Sequence, residues 1–437
     1  MPRITPPPHK FETEHIKHKM LGSFLKVGAL VAVLWAFVYN MQEHNEAALL
    51  SDWSSPPPWP IFIAVNVLAG SLRAAADALT PPPIIMLDYA FSQQKLVLAN
   101  WIQKFKVADL VAAKGPVTCK DLAASLGQDE GRLTRMMYGS ASLGMFRLGK
   151  PDPANGAPRF VNTALSAVIR VDHPNSVAAF IGHMADDSYA PWGKLPEAMQ
   201  KGVVAWDLEY PQYPAPSGIW QLYEDNPVRE EQFGKAMTTI DGLGAVAMVD
   251  DGPWGKFKRA IDVGGGRGHF LHRLLSKFKN LEGILLDRPP VIALAKQAWV
   301  KDGHFGSTAT ERVSFASGSF LKAESLPPAQ DGDVFYARYI LHDWPPAESE
   351  LILRNIRKAI GSKKATLLIG ECALPDHDTV GPVSAVYQVD LQMMTFFGYA
   401  QERTPKQWEE IMTKTGFKIK AYHATRSLVH WVEAVPV

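Results

Sequence analysis

Apolar and polar positions fall into three regimes along this chain. From about residue 260 to the end, short apolar runs alternate with longer mixed segments. Ala260–Val263, Gly283–Asp287, Val313–Phe315, Val334–Arg338 and Ala365–Gly370 read as strands, and His269–Phe278, Pro290–Val300 and Ala347–Ile360 read as helices between them. Pro405–Thr415 is a further helix with Gly416 as its cap, followed by strand-like runs at Phe417–Tyr422 and Leu428–Val432. Such strand–helix alternation implies an α/β, doubly wound, parallel sheet. The chain shows no internal repeat.

The second regime covers residues 84–148, which are rich in helix formers. Helices are expected over Ile84–Ala113, Thr118–Leu126 and Asp129–Leu143, with Thr118 as a cap and Asp121 in the acidic first turn. Met145–Leu148 and Arg159–Val161 then form two short strands across a Gly/Pro-rich turn, which completes a winged-helix pattern. The second helix carries Asp129, Glu130, Arg132 and Arg135, and no basic cluster to meet phosphates. Packing or dimerisation therefore suits it better than DNA binding.

The third regime is residues 1–80. Lys10, Lys17 and Lys19 precede an apolar run, Met20–Tyr39, whose uncharged part from Val27 has thirteen residues. A second run, Trp59–Leu72, follows Pro56-Pro57-Pro58. The loop between, Asn40–Pro58, has no Lys or Arg but contains Glu43, Glu46 and Asp52. That asymmetry fits a membrane hairpin through residues 20–79 with both ends cytoplasmic. The runs are short for a span, so a helix pair in a dimer interface and a removable targeting segment stand beside it.

Composition narrows the function classes. The 437 residues are enough for two or three domains, and 47% apolar with 20% charged residues describes a folded chain with a core. Lys plus Arg is 45 against 44 for Asp plus Glu, so no net positive field favours a nucleic acid. The two cysteines, Cys119 and Cys372, have no second Cys or His at ligand spacing, which argues against a disulfide framework or zinc site and favours a reducing, cytoplasmic setting.

Three motifs carry candidate chemistry. Asp262-Val263-Gly264-Gly265-Gly266-Arg267-Gly268 joins the first strand of the sheet to its helix, and Asp287 ends the next strand, where a ribose diol would lie. A dinucleotide fingerprint would need glycine at 269, which is His269. The spacing suits a nucleoside without a pyrophosphate, such as S-adenosylmethionine. Leu341-His342-Asp343-Trp344-Pro345 follows the fourth strand, at the sheet edge where ligands bind, so His342 is the candidate general base. Its ordinary pKa of about 6.5 would leave it neutral. Glu371 ends the fifth strand on the same rim and could accept the other imidazole N–H, whereas Glu402 reads equally as a helix-start acid.

DVGGGRGHF, LLDRP, RYILHDWP, IGECALPD and QERT, in that order, resemble the S-adenosylmethionine-dependent O-methyltransferases of the plant caffeate and flavonoid type, over residues ~81 to 437. The resemblance implies a Rossmann-like seven-stranded catalytic domain at 201–437 and a mainly helical winged-helix dimerisation domain at 81–200, with 1–80 as an extension outside the pattern. It implies a homodimer, a small-molecule acceptor and no metal. Gly264 and Gly266 would line the cofactor, Asp287 would hold its ribose, and Arg338 stands where a Lys often contacts it. Ser319, followed by Phe320, replaces an Asp that usually meets the adenine. His342 would be the base, with Glu371 and Glu402 bracketing its imidazole. Met237, Met393 and Phe397 would line the acceptor pocket, Phe397 standing where plant enzymes often have Asn. A thiol acceptor, or a relative that rearranges its substrate without methylating it, remain the alternatives.

Overall fold

The computed structural model describes residues 49–50, 52, 54–300, 307–375 and 384–437. The apolar run Met20–Tyr39 and most of the loop after it lie outside these. The chain divides into two compact units, one of residues 1–51 and 106–174, the other of 52–105 and 175–437.

In the first unit, β1 (Val117–Thr118), β2 (Phe146–Leu148) and β3 (Arg159–Asn162) form a sheet in the order β1-β3-β2. The helices Cys119–Leu126 and Glu130–Ser142 start as their sequences specify. Thr118 accepts the backbone N–H of Asp121, and Asp129 accepts that of Arg132. Leu122, Leu133, Met137, Phe146 and Phe160 fill the core beneath them. Arg132 and Arg135 are exposed.

This unit is narrower than the 81–200 expected. The helix Ser92–Lys104 packs on the helix Ala178–His183, within the larger unit. Lys106 adopts a left-handed φ of +52°, which breaks the single helix expected over 84–113. Pro82–Ala90, Ser92–Lys104 and Val107–Lys114 replace it.

The larger unit is built on a seven-stranded sheet. Its strands are β4 (Arg259–Val263), β5 (Glu282–Asp287), β6 (Val313–Ser317), β7 (Asp333–Arg338), β8 (Thr366–Cys372), β9 (Phe417–His423) and β10 (Val429–Pro436), in the order β6-β5-β4-β7-β8-β10-β9. Strands β4 to β8 pair in parallel, and β10 runs antiparallel to both its neighbours. Only a short connection joins β9 to β10, too short for the crossover that a parallel pair needs. Alternate residues bury opposite faces. Ala260, Leu285, Tyr336 and Leu368 pack with Leu271 and Leu274 of the His269–Lys277 helix, while Ile261, Leu286, Phe335 and Leu367 pack with Ile352 and Ile356 of the Pro346–Ile360 helix. Helices on both faces keep the apolar strands out of water.

Two helices that position the site escaped the sequence reading. Pro227–Asp251 has 25 residues, and Gly234, Gly242 and Gly244 disguise it as a loop. Ser384–Phe397 is apolar and rich in aromatic and β-branched residues, which by period alone could be strand. The Trp59–Leu79 helix is long and apolar enough to cross a membrane, and none of its residues is buried.

Candidate active site

The carboxyl ends of β4, β5, β6, β7 and β8 meet along one edge, where connections cross over to opposite faces. The glycine loop opens there. Gly266 has a left-handed φ of +58° and faces open space, and its N–H donates to Asp287 Oδ2 at 2.8 Å. Gly268, at φ +82°, lies so close to Trp299 that a Cβ would come within 2.9 Å of the indole. The first position admits a ligand and the second admits the helix. Asp287 Oδ1 also accepts the N–H of Arg288, and burial raises its carboxyl above the ordinary value. Beyond β6, Ser319 Oγ accepts the N–H of Leu321, and the Phe320 ring meets Trp344 edge-on at 5.8 Å.

Behind the loop lies a buried polar group of which the sequence reading singles out Arg338 and, as the first residue of the glycine motif, Asp262. Arg338 ends β7, sits 4.4 Å over the Phe270 ring, and places Nη1 2.6 Å from Asp241 Oδ1. Asp262 is buried beside it, and burial pushes its carboxyl up to about 7. Asp241 Oδ1, Asp262 Oδ2, the Tyr336 hydroxyl, and Arg338 Nε and Nη1 have no aligned hydrogen-bond partner. Arg338 Nη1 and Asp241 Oδ1 nonetheless pair as ions, and the Tyr336 hydroxyl interacts with Asp262, so Arg338 Nε is the buried donor left for a ligand to complete. A cation and carboxylates so placed match the zwitterionic end of an amino acid, and Asp287 matches a ribose. The residues present therefore fit S-adenosylmethionine. No periodicity in 227–251 singled out Asp241, since its role depends on Arg338 across the fold.

His342 lies in the short turn Leu341–Asp343 after β7 and is 7% exposed. Its Nδ1 is 2.6 Å from Glu402 Oε1, and Glu402 is fully buried. The helix starting at Pro405 is capped by Thr404, which leaves the Glu402 side chain to the imidazole. Glu371 is placed differently from expectation. Its Oε1 accepts the backbone N–H of His342 at 3.1 Å, so it fixes the turn rather than bracketing the ring. The remaining nitrogen, Nε2, lies 3.5 Å from Asp343 Oδ1. Arg403 pins the same turn through Leu341 O and Ser349 Oγ. Tyr339, with a strained left-handed φ of +55°, lays its ring 5.6 Å from the imidazole.

The charge state also departs from the neutral imidazole expected. Burial alone would lower the pKa of His342, but the charges of Glu402 and Asp343 and the Glu402 hydrogen bond bring it up to about 10. Burial raises Glu371 to about 7 and Asp343 to about 6. Among the described residues, no group of three or more His, Cys, Asp and Glu is arranged to hold a metal.

The three residues expected at the acceptor lie on two helices. Met393 and Phe397 lie on the Ser384–Phe397 helix, in an aromatic cluster with Trp206, Tyr223, Phe396 and partly buried Trp220. Met237 lies on the Pro227–Asp251 helix, one turn before Asp241 and on the same face.

Residues 192–418 match the O-methyltransferase domain, and 90–172 match the O-methyltransferase dimerisation domain. The chain belongs to the O-methyltransferase family. It is 31% identical to 8-amino-8-demethylriboflavin N,N-dimethyltransferase of Streptomyces davaonensis, over 74% of this chain and 86% of that protein. It is 29% identical to a phenazine O-methyltransferase of Lysobacter antibioticus, over 84% of this chain and 98% of that protein. The crystal structure of LaPhzM superposes with a TM-score of 0.71 at 28% identity, covering 82% of this chain and all of that one. This methyltransferase uses S-adenosylmethionine and methylates a small-molecule hydroxyl.

Proposed function

We propose that His342 is the general base of this transfer and that the acceptor is aromatic. The 2.6 Å contact with Glu402 carries the first part, because it fixes a proton on Nδ1 and leaves Nε2 to meet the acceptor hydroxyl. The aromatic cluster around Met393 and Phe397 supports the second.

When bound, S-adenosylmethionine supplies an electrophilic methyl group on its sulfonium. Arg338 and Asp241 would hold the opposite charges of its methionine end, and Asp287 its ribose hydroxyls. Gly264 and Gly266 would give its backbone-side contacts, and Ser319 and Phe320 would face its adenine. His342 rests protonated near neutral pH and must shed that proton before it can act. Asp343, whose Oδ1 lies 3.5 Å from Nε2, can take it. Nε2 then accepts the hydroxyl proton as the oxygen attacks. Glu402 stabilises the imidazolium that forms, and the buried surroundings exclude water.

Replacing His342→Ala is expected to lower turnover by roughly 10²–10⁴-fold. Calorimetric titration should show S-adenosylmethionine affinity nearly unchanged. A loss below about tenfold with a hydroxyl acceptor would overturn the assignment.

We also assign a homodimer, on the dimerisation match, and a cytoplasmic catalytic unit held at a bilayer by a hairpin through residues 20–79, to which the Trp59–Leu79 helix would belong. A chain beginning at Pro81 should then leave the membrane fraction and keep its rate. Full-length protein found in the soluble fraction would end that assignment. A truncated chain that is monomeric and inactive would give the helix to the dimer interface.

A further inference from the structure

A second imidazole–carboxylate pair lies outside the base cluster. His183 ends the Ala178–His183 helix, which runs directly into a π-turn at Met184–Ser188. Such turns are rare and concentrate at functional sites. Asp187, in that turn, places Oδ2 3.0 Å from His183 Nδ1, with both residues buried. The Tyr223 hydroxyl donates to the same oxygen at 3.3 Å. Arg229 donates to Oδ1 through Nε at 3.0 Å and through Nη2. Burial would raise the Asp187 carboxyl, but His183 and Arg229 hold it below its ordinary value. An ionised Asp187 keeps a proton on Nδ1 and leaves Nε2 as the free nitrogen. No described residue forms a hydrogen bond with Nε2.

The ring faces the aromatic cluster. It meets Phe233 edge-on at 5.3 Å and Phe396 at 6.5 Å. Phe397, the next residue, stacks on Trp220 at 6.0 Å, and Trp220 Nε1 is buried without a partner. The helix carrying Phe396 and Phe397 also carries Asp390, which accepts the backbone N–H of Glu402. One helix thus reaches both imidazole pairs. Asp390 and Phe396 are about 9 Å apart along its axis at 1.5 Å per residue.

We propose that His183, oriented by Asp187, is a second recognition group of the acceptor pocket, binding through Nε2 an oxygen of a planar aromatic acceptor remote from the hydroxyl at His342. It rests on the acceptor site assigned above. The substrate class it selects is a fused-ring phenol with a second hydroxyl, and Trp220 Nε1 is placed to donate to an additional oxygen. The alternative is that His183 only braces the packing of Asp187 and Arg229. A brace would support the fold without distinguishing one acceptor from another.

The test titrates the full-length protein, saturated with S-adenosylhomocysteine, with 1-naphthol and with dihydroxynaphthalenes of varied spacing. Binding is read calorimetrically, and methyl transfer is measured in parallel with S-adenosylmethionine. At least one dihydroxynaphthalene should bind about 10-fold or more tighter than 1-naphthol, the gain of a hydrogen bond to a buried group. His183→Phe should bring that ratio close to one, and His183→Gln should keep part of it. Asp187→Asn, which releases the tautomer, should also narrow it and serves if His183→Phe fails to fold. A ratio unchanged in these variants overturns the proposal, as does equal weakening of both ligands or a pocket that binds no naphthalene. If the His183-dependent preference appears but no ligand is methylated, the base assignment fails and this one stands. If methylation depends on His342 but the preference ignores His183, the reverse holds.

Discussion

His342 places Nδ1 2.6 Å from Glu402, and His183 places Nδ1 3.0 Å from Asp187, both pairs inside the same unit. Their carboxylates are occupied differently. Asp187 also serves Tyr223 and Arg229, so a guanidinium balances its charge. Glu402 Oε2 has no aligned partner, Glu371 and Asp343 add to the negative field, and Arg403 turns its donors to Leu341 O and Ser349 Oγ. The same pair can therefore do two jobs. A carboxylate whose charge is left to the imidazole raises its basicity, which suits proton transfer. One whose charge is matched elsewhere chiefly fixes ring and tautomer, which suits recognition.

The largest expected effect comes from removing the charge that distinguishes the first pair. Glu402→Gln should lower maximal turnover by roughly 10²-fold, the lower end of a general-base contribution. Because Glu402 raises the pKa of His342, the rising limb of the pH–rate profile should also move to lower pH. A limb that stays in place would mean another group sets it. Removing the cation from the second pair is expected to act on stability first. Arg229→Met leaves buried Asp187 with only His183 and Tyr223, and denaturant unfolding should show a loss of about 2 kcal/mol. Its pH–rate limb should not move, and a shift would show that the two pairs are coupled. The smallest effect is expected from chelation. His342 supplies the basicity that a metal-bound water would otherwise give, so excess EDTA should leave the rate unchanged. Loss restored by magnesium would break the comparison at its root.

Much of the site was legible because its residues sit at strand ends. Asp262–Gly268, Asp287, Arg338, His342 and Glu371 each follow an apolar run, and parallel pairing brings such ends to one edge whatever the loops do. What could not be read was which atoms meet. Position favoured Glu371, at a strand end, as the partner of the imidazole and left Glu402 equally a helix-start acid. The turn at Leu341–Asp343 gives one the backbone and the other the ring. Asp241 carried no signal, because its meaning depends on Arg338, 97 positions away, and the i,i+4 spacing of His183 and Asp187 acquired one only when Tyr223 and Arg229, 36 and 42 positions on from Asp187, closed on the carboxylate.

Local chemistry fixed the elements. Period-two alternation set the faces of β4 to β8, Thr118, Asp129 and Thr404 set helix starts, and four glycines in five residues required a tight turn at a strand end. These depend on neighbours within a few residues, so the order of amino acids contains them. Burial and charge balance decided the rest. His342 is held protonated because Glu402 and Glu371, from two other segments, join its neighbour Asp343 around it out of water, and His183 is aligned because Arg229 and Tyr223 arrive to fix Asp187. Electrostatic strength depends on distance and dielectric, and both are set only when the chain has closed on itself.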